Sequence, residues 1–230
     1  MLTAKLKWHV DKIIFMMKED KEDQEPPHNP YFEREGDTIA TQGHLPHWSQ
    51  EAKLYAVTFR LNDSLPHHVI ERCLLDFETR TDNTDNAAYE YARKAFIHRK
   101  IMDSLDQGHG ECLLRSEEVR QIVIASFRYI HLHQARVHAF VIMPNHVHAV
   151  VETLDGITIQ QVMHSLKRYT ARQINALLHR TGRVWQTEYF DRLIRSLKHY
   201  NHAIYYIQQN PRNLPPSDFF LYSCQHGGEV

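Results

Sequence analysis

The sequence predicts an α+β domain, an antiparallel sheet with helices packed on it, and three observations carry that prediction. Arg136–Ile142 (RVHAFVI) and His146–Glu152 (HVHAVVE) are rich in β-branched and apolar residues and flank the short turn Met143-Pro144-Asn145, which is the pattern of a hairpin. A third strand-like run, Lys53–Leu61 (KLYAVTFRL), alternates apolar and polar side chains and lies far upstream, behind segments of helical spacing. The strands therefore do not alternate regularly with helices, as a parallel sheet would require, and no 20–50-residue repeat is present.

Taken in order, residues 1–43 read as an N-terminal extension. A short helix over Ala4–Lys18 gives way to a charged run and then to a stretch rich in turn formers and poor in periodicity. After the Lys53–Leu61 strand, Pro66 opens a helical segment over about His67–Thr79. The turn-rich TRTDNTDNAA interrupts it, and a second helical stretch covers about Ala87–Met102. Glu117–His133 places Val119, Ile122, Val123, Ser126, Phe127 and Ile130 at intervals of three and four, one face of a helix. After the hairpin, Ile159–His179 is a helix with Gly182 as its expected C-cap region. Arg183–Ile194 is a strand or an irregular segment. Leu197–Gln209 is a last helix, stopped by Pro211. Residues 44–215 form the expected domain, and residues 216–230 the expected C-terminal tail.

Composition narrows the class. The chain has 230 residues, 42% of them hydrophobic, as expected of a globular protein. No apolar run reaches the roughly 18–20 residues that span a bilayer, and no small-residue cleavage site follows the N-terminal apolar patch. The expectation is a cytoplasmic protein without a membrane partner. Cys73, Cys112 and Cys224 are widely spaced, which suits free thiols and neither a disulfide framework nor a zinc site. The formal net charge of −1 hides an asymmetry. Residues 1–50 carry six basic and nine acidic side chains, whereas residues 160–214 carry nine basic ones against Glu188 and Asp191 alone. A polyanion is the expected partner of the C-terminal half.

Chemistry enters with His146-Val147-His148. Residues two apart on a strand face the same way, so both imidazoles project from one side of the sheet and form half of a metal site with open positions. In a chain with eighteen histidines, a chance pair in the core or at the surface is the rival reading. On the last helix Tyr206 and Asn210 lie four apart, on one face, so a phenol oxygen and an amide ligand adjoin. Packing of Tyr200, Tyr205 and Tyr206 on the sheet is the alternative. Tyr205 and Gln209 share the same spacing on a neighbouring face.

FVIMPNHVHAVVE (Phe140–Glu152), SLKRYTARQIN (Ser165–Asn175), GRVWQTEYFDRLIRS (Gly182–Ser196) and YIQQNP (Tyr206–Pro211) resemble, in this order, the single-tyrosine HUH (IS200-like) transposases. HLPHW (His44–Trp48) and YAVTFRLNDSLP (Tyr55–Pro66) resemble the opening of that domain. Within the family the likeness is to the REP-associated tyrosine transposases, and it covers about residues 44–215. The resemblance implies a ferredoxin-like α+β fold, the HUH endonuclease fold, with the histidine pair on a central strand. It implies that His146, His148 and Asn210 are ligands of Mg²⁺ or Mn²⁺ and that Tyr206 is the nucleophile. The implied activity is cleavage and rejoining of single-stranded DNA, at hairpins with a short single-stranded flank, through a 5′-phosphotyrosine link. Relatives act as monomers or as homodimers. A relaxase or replication-initiator nuclease and a domesticated, non-catalytic DNA-binding protein are the rival functions.

The basic segment fits such a partner. Lys167, Arg168 and Arg172 can follow a phosphate track along one helix, and Arg183, Trp185, Arg192 and Arg195 interleave cations with rings suited to unpaired bases. The rival reading places Trp185 in the core and the arginines on a solvated face. His138 and His202 could tune the tyrosine or a phosphate, or serve as satisfied structural histidines.

Overall fold

The structure, a computed structural model, describes residues 29–33, 39–41, 47–65, 96 and 99–224. The expected helices over 4–18 and 67–79 lie outside these residues. Of the expected helix over 87–102, residue 96 and residues 99–102 are described and helical, and that helix runs on to residue 105.

Two short strands, β1 (Ile39–Thr41) and β2 (His47–Ser49), pair with each other. The domain is organised by a second sheet of five strands: β3 (Leu54–Arg60), β4 (Ala135–Ile142), β5 (His146–Thr153), β6 (Phe190–Leu193) and β7 (Phe220–Ser223). Their order is β6-β3-β5-β4-β7, and every pair is antiparallel. Among the described residues α1 (Glu117–His133), α2 (Ile159–Leu177) and α3 (Leu197–Gln209) pack on it. The fold is α+β, as the sequence predicts.

Local chemistry sets the helix boundaries. Ser116 caps α1 by accepting the Val119 amide, and Ser196 caps α3 by accepting that of His199. Thr158 and Gln161 form a reciprocal capping box at the start of α2. The end of α2 departs from expectation. It stops at Leu177, His179 turns into the left-handed region at φ 50°, and Gly182 (φ +102°) belongs to the following loop. Pro211 does not end the chain's helical winding either, because α3 passes into a 3₁₀ turn over Asn210–Asn213 that contains it.

Alternation along β5 divides the molecule into two faces. Val147, Ala149 and Val151 point into the larger core, where Phe127, Ile130, Val162, Leu166, Ile174 and Trp185 of α1, α2 and the following loop close over them. His146, His148, Val150 and Glu152 point to the other face. There α3 lays Tyr200, Ile204 and Ile207 against Val150, Val141 and Leu221. That helix is buried at i, i+4 and i+7, the stripe expected of one-sided packing.

Two segments assigned by sequence to appendages belong to the domain. Residues 220–223, expected in a C-terminal tail, form the edge strand beside β4. Residues 29–33, expected in the N-terminal extension, run along the opposite edge. The Phe32 amide donates to the Ile194 carbonyl, and Lys53 Nζ donates to the Asn29 carbonyl and pairs with Glu33 at 3.1 Å. No helix among the described residues is long and apolar enough to cross a membrane.

Candidate active site

His146 and His148 occupy successive same-face positions of the central strand, with ring centroids 4.7 Å apart and planes nearly perpendicular. Both are buried, and each ring is held from its Nδ1 side. Asn145, itself fully buried, donates from Nδ2 to the His109 carbonyl at 3.0 Å, so its Oδ1 is the atom that faces His146 Nδ1 at 2.8 Å. An amide oxygen only accepts, so Nδ1 carries the ring proton and Nε2 presents its lone pair. Thr58 Oγ1, in register across the sheet, stands 2.7 Å from His148 Nδ1 and can fix that ring in the same tautomer. Such outer partners orient metal-binding imidazoles and raise their basicity. Burial pushes the His146 pKa down to about 3, so the ring is neutral at physiological pH.

The loop that supplies the His109 carbonyl depends on a glycine. Gly110 adopts φ +88°, and a Cβ there would lie 2.7–2.9 Å from the Asp63 carbonyl and carboxylate. Asp63 in turn accepts the Glu111 amide at 2.7 Å. This close approach ties the loop to the end of β3.

From α3, Tyr206 meets the histidine pair. Its ring stands edge-on to His148 with centroids 5.1 Å apart. Tyr205 points away from the sheet and is 61% exposed, against 40% for Tyr206. Burial and the nearby Asp106 raise the Tyr206 pKa to about 12, while a hydrogen bond from Asn210 pulls it the other way. The structure thus brings together His146, His148, Tyr206 and Asn210. Among the described residues no hydrogen-bond partner meets the buried His146 Nε2 or Asn210 Oδ1. Buried acceptors are rarely left so, and a shared cation would satisfy both. The donor set fits a divalent ion.

Asp106 is a residue that sequence reasoning missed. Its Oδ1 lies 3.9 Å from His146 Nε2, and burial together with Asp103 raises its pKa. A carboxylate arriving from a distant segment leaves no spacing signal in the sequence. Among the described residues no group of three His, Cys, Asp or Glu side chains forms a metal site. A cleft of about 820 Å³ opens onto His148 and Tyr206, with Asp103, Asp106, Arg192 and His202 among its walls.

The expected DNA-binding residues divide unevenly. Arg192 lines the cleft. Arg195 is exposed nearby, its guanidinium 5.4 Å from the Phe32 ring. Arg168 and Arg172 are exposed on α2, across the sheet from the histidines, so the track expected along that helix does not adjoin the pair. Lys167 points its ammonium at the carbonyls of Gln186 and Thr187, both at 2.7 Å, and stands over the Tyr189 ring. Arg183 is exposed and bonds Thr187. Trp185 corrects the sequence expectation: it is 5% exposed, packs edge-on against Phe59 and donates its indole N–H to Thr170. Its ring has no face left for a base. His138 is a satisfied histidine, bonded to Tyr200 and Glu152 at the β4 bulge, and His202 is exposed at the cleft.

The chain is similar in part to known proteins. Residues 113–210 match the model of the family described as "Transposase IS200 like", a span that contains the histidine pair, Tyr206 and Asn210. An uncharacterized protein of Haemophilus influenzae is 28% identical over 100 residues, covering 34% of this chain and 55% of that protein, so the chain matches about half of its length. A solved structure of a REP-associated tyrosine transposase bound to a REP hairpin aligns at 17% identity with a TM-score of 0.42, covering 74% of this chain and 73% of that one. Residues 113–210 of the chain are thus similar to the IS200-like transposases.

Proposed function

We propose that the protein cleaves and rejoins single-stranded DNA, with Tyr206 as nucleophile and His146, His148 and Asn210 as ligands of Mn²⁺ or Mg²⁺, within the REP-associated branch of the family. The observation that carries the reading is the meeting of Tyr206 with a buried imidazole pair, His146 held in one tautomer by Asn145, and a buried amide oxygen that lacks a partner among the described residues. The mixed nitrogen and oxygen donors suit Mn²⁺ better than Mg²⁺, which prefers oxygen alone. A cation held there supplies Lewis-acid polarisation of the scissile phosphate.

The chain's own residues do the rest. The Tyr206 oxygen forms a bond to phosphorus while the bond from phosphorus to the 3′ oxygen breaks. The products are a 5′-phosphotyrosine link and a 3′-hydroxyl that takes up a proton. The link retains the phosphodiester energy, so attack by a 3′-hydroxyl reverses the step. With its pKa near 12 the phenol is protonated at neutral pH, so its proton must leave as the bond forms. Asp106 lies 3.9 Å from His146 Nε2, and its charge acts on the tyrosine by raising its pKa. Arg192 in the cleft wall and Arg195 beside it favour a strand lying along the edge of β6. The hairpin substrate is the one bound by the structurally similar transposase. Incubation with end-labelled hairpin DNA and Mn²⁺ tests the reading. The expected result is a denaturant-resistant protein–DNA adduct that requires the metal; cleaved ends without an adduct would contradict it.

A further inference from the structure

We propose that Arg60 is a phosphate-binding residue of this site, seating a backbone phosphate of the DNA strand beside His146. The proposal rests on the DNA-cleaving reading above and adds to it a residue that the basic segment does not contain.

Arg60 ends β3 and is the cross-strand partner of His146, just as Thr58 is that of His148. Partners in an antiparallel pair project from the same face with Cβ atoms roughly 5 Å apart. The Arg60 Cβ therefore shares the histidine face. It is 8% exposed, and its hydrogen bond to a described group is one from Nη1 to Ser64 Oγ at 3.2 Å. Ser64 is itself buried and donates to the Leu61 carbonyl. Among the described residues no carboxylate pairs with Arg60. The contrast with other cations of the domain is clear. Lys53 has Glu33, Arg115 has Asp218 and Arg180 has Glu111. Lys167, near Arg60 at the same end of the sheet, is met by two carbonyls and by the field of Glu188.

Among the described residues Arg60 is thus a buried cation with one neutral partner, and its own burial disfavours its charge. A buried charge without an opposite one weakens a fold. Such a charge becomes intelligible where a ligand brings the missing anion. A guanidinium is suited to that task, since its planar fork of donors matches two phosphate oxygens at once and it stays protonated. The phosphodiester backbone is the anion the neighbouring site would receive.

Binding of a single-stranded oligonucleotide in EDTA, measured by anisotropy across a salt series, tests this without cleavage. Arg60→Gln should weaken binding about tenfold at 0.1 M salt and reduce the magnitude of the log K against log[salt] slope by about 0.7, the loss of one phosphate contact. Its thermal midpoint without DNA should equal or exceed that of the wild type, because an uncompensated buried charge has gone. Arg60→Lys should keep the slope and still bind more weakly, and this variant carries the test if Arg60→Gln does not fold. An unchanged slope in Arg60→Gln, or wild-type affinity in Arg60→Lys, would overturn the proposal. Absence of an adduct in the wild type would refute the cleavage reading alone, since the salt slope does not depend on it.

Discussion

The two faces of β5 differ as much as two proteins would. On one, Val147, Ala149 and Val151 join Phe127, Phe140 and Leu166 in a dry core that contains no ionisable side chain of the strand. On the other, only Val150 is apolar. His146, His148 and Glu152 share that side with Thr58, Arg60 and His138, and a cleft opens onto it. A two-residue period lets one strand serve both purposes. Substitutions on the first face should be read as stability, and those on the second as chemistry.

The sharpest break of that comparison comes from Tyr206→Phe. It removes a nucleophile at a partly exposed position, so adduct formation should fall at least about a thousandfold while the denaturation midpoint stays put. A variant that unfolds would mean that the hydroxyl is structural. On the opposite face Phe127→Ala deletes a ring stacked 4.3 Å from Phe140. It should cost about 3–5 kcal/mol in denaturant titration yet leave Mn²⁺ affinity intact below the transition. Lost metal affinity in the folded variant would show that the faces are coupled.

Asn145→Ala frees the Nδ1 side of His146. Metal affinity by calorimetry should drop about 10–100-fold, and a variant binding as tightly as wild type would rule out tautomer control. Acidification separates the faces in another way. His146 has a folded pKa of about 3 and an unfolded one of about 6.5, so between those values the unfolded chain holds the extra proton. Its contribution is complete above pH 6.5 and declines as the pH falls. Between pH 7 and 5 without metal, the wild type should lose roughly 1–2 kcal/mol more stability than His146→Gln. Equal acid limbs would refute a neutral buried ring. The smallest effect expected is at the surface: Arg192→Ala should weaken single-strand binding several-fold more than Arg172→Ala, because only Arg192 shares the cleft with Tyr206.

These contrasts mark what the sequence could tell. The hairpin, α1 and α3 were legible because each carries a full apolar period, and HVH on a strand has one geometric meaning. The four residues of β7 carry too little pattern to stand out behind the 3₁₀ turn at Pro216–Asp218. Trp185 was misassigned because composition reports a ring and a cation nearby without saying which way the ring turns. Asp106 and Arg60 were invisible for a deeper reason. The role of Asp106 follows from a contact across a loop. That of Arg60 follows from cross-strand register and a missing counter-charge. Neither is a property of the surrounding letters. The choice of Tyr206 over Tyr205 became a question of helix face once α3 was seated on the sheet.

Peptide mass spectrometry of the adduct formed with hairpin DNA and Mn²⁺ tests the central claim most directly. The expected product is a nucleotide phosphodiester on Tyr206. A modification on Tyr205, or cleaved DNA with no tyrosine modified, would contradict it.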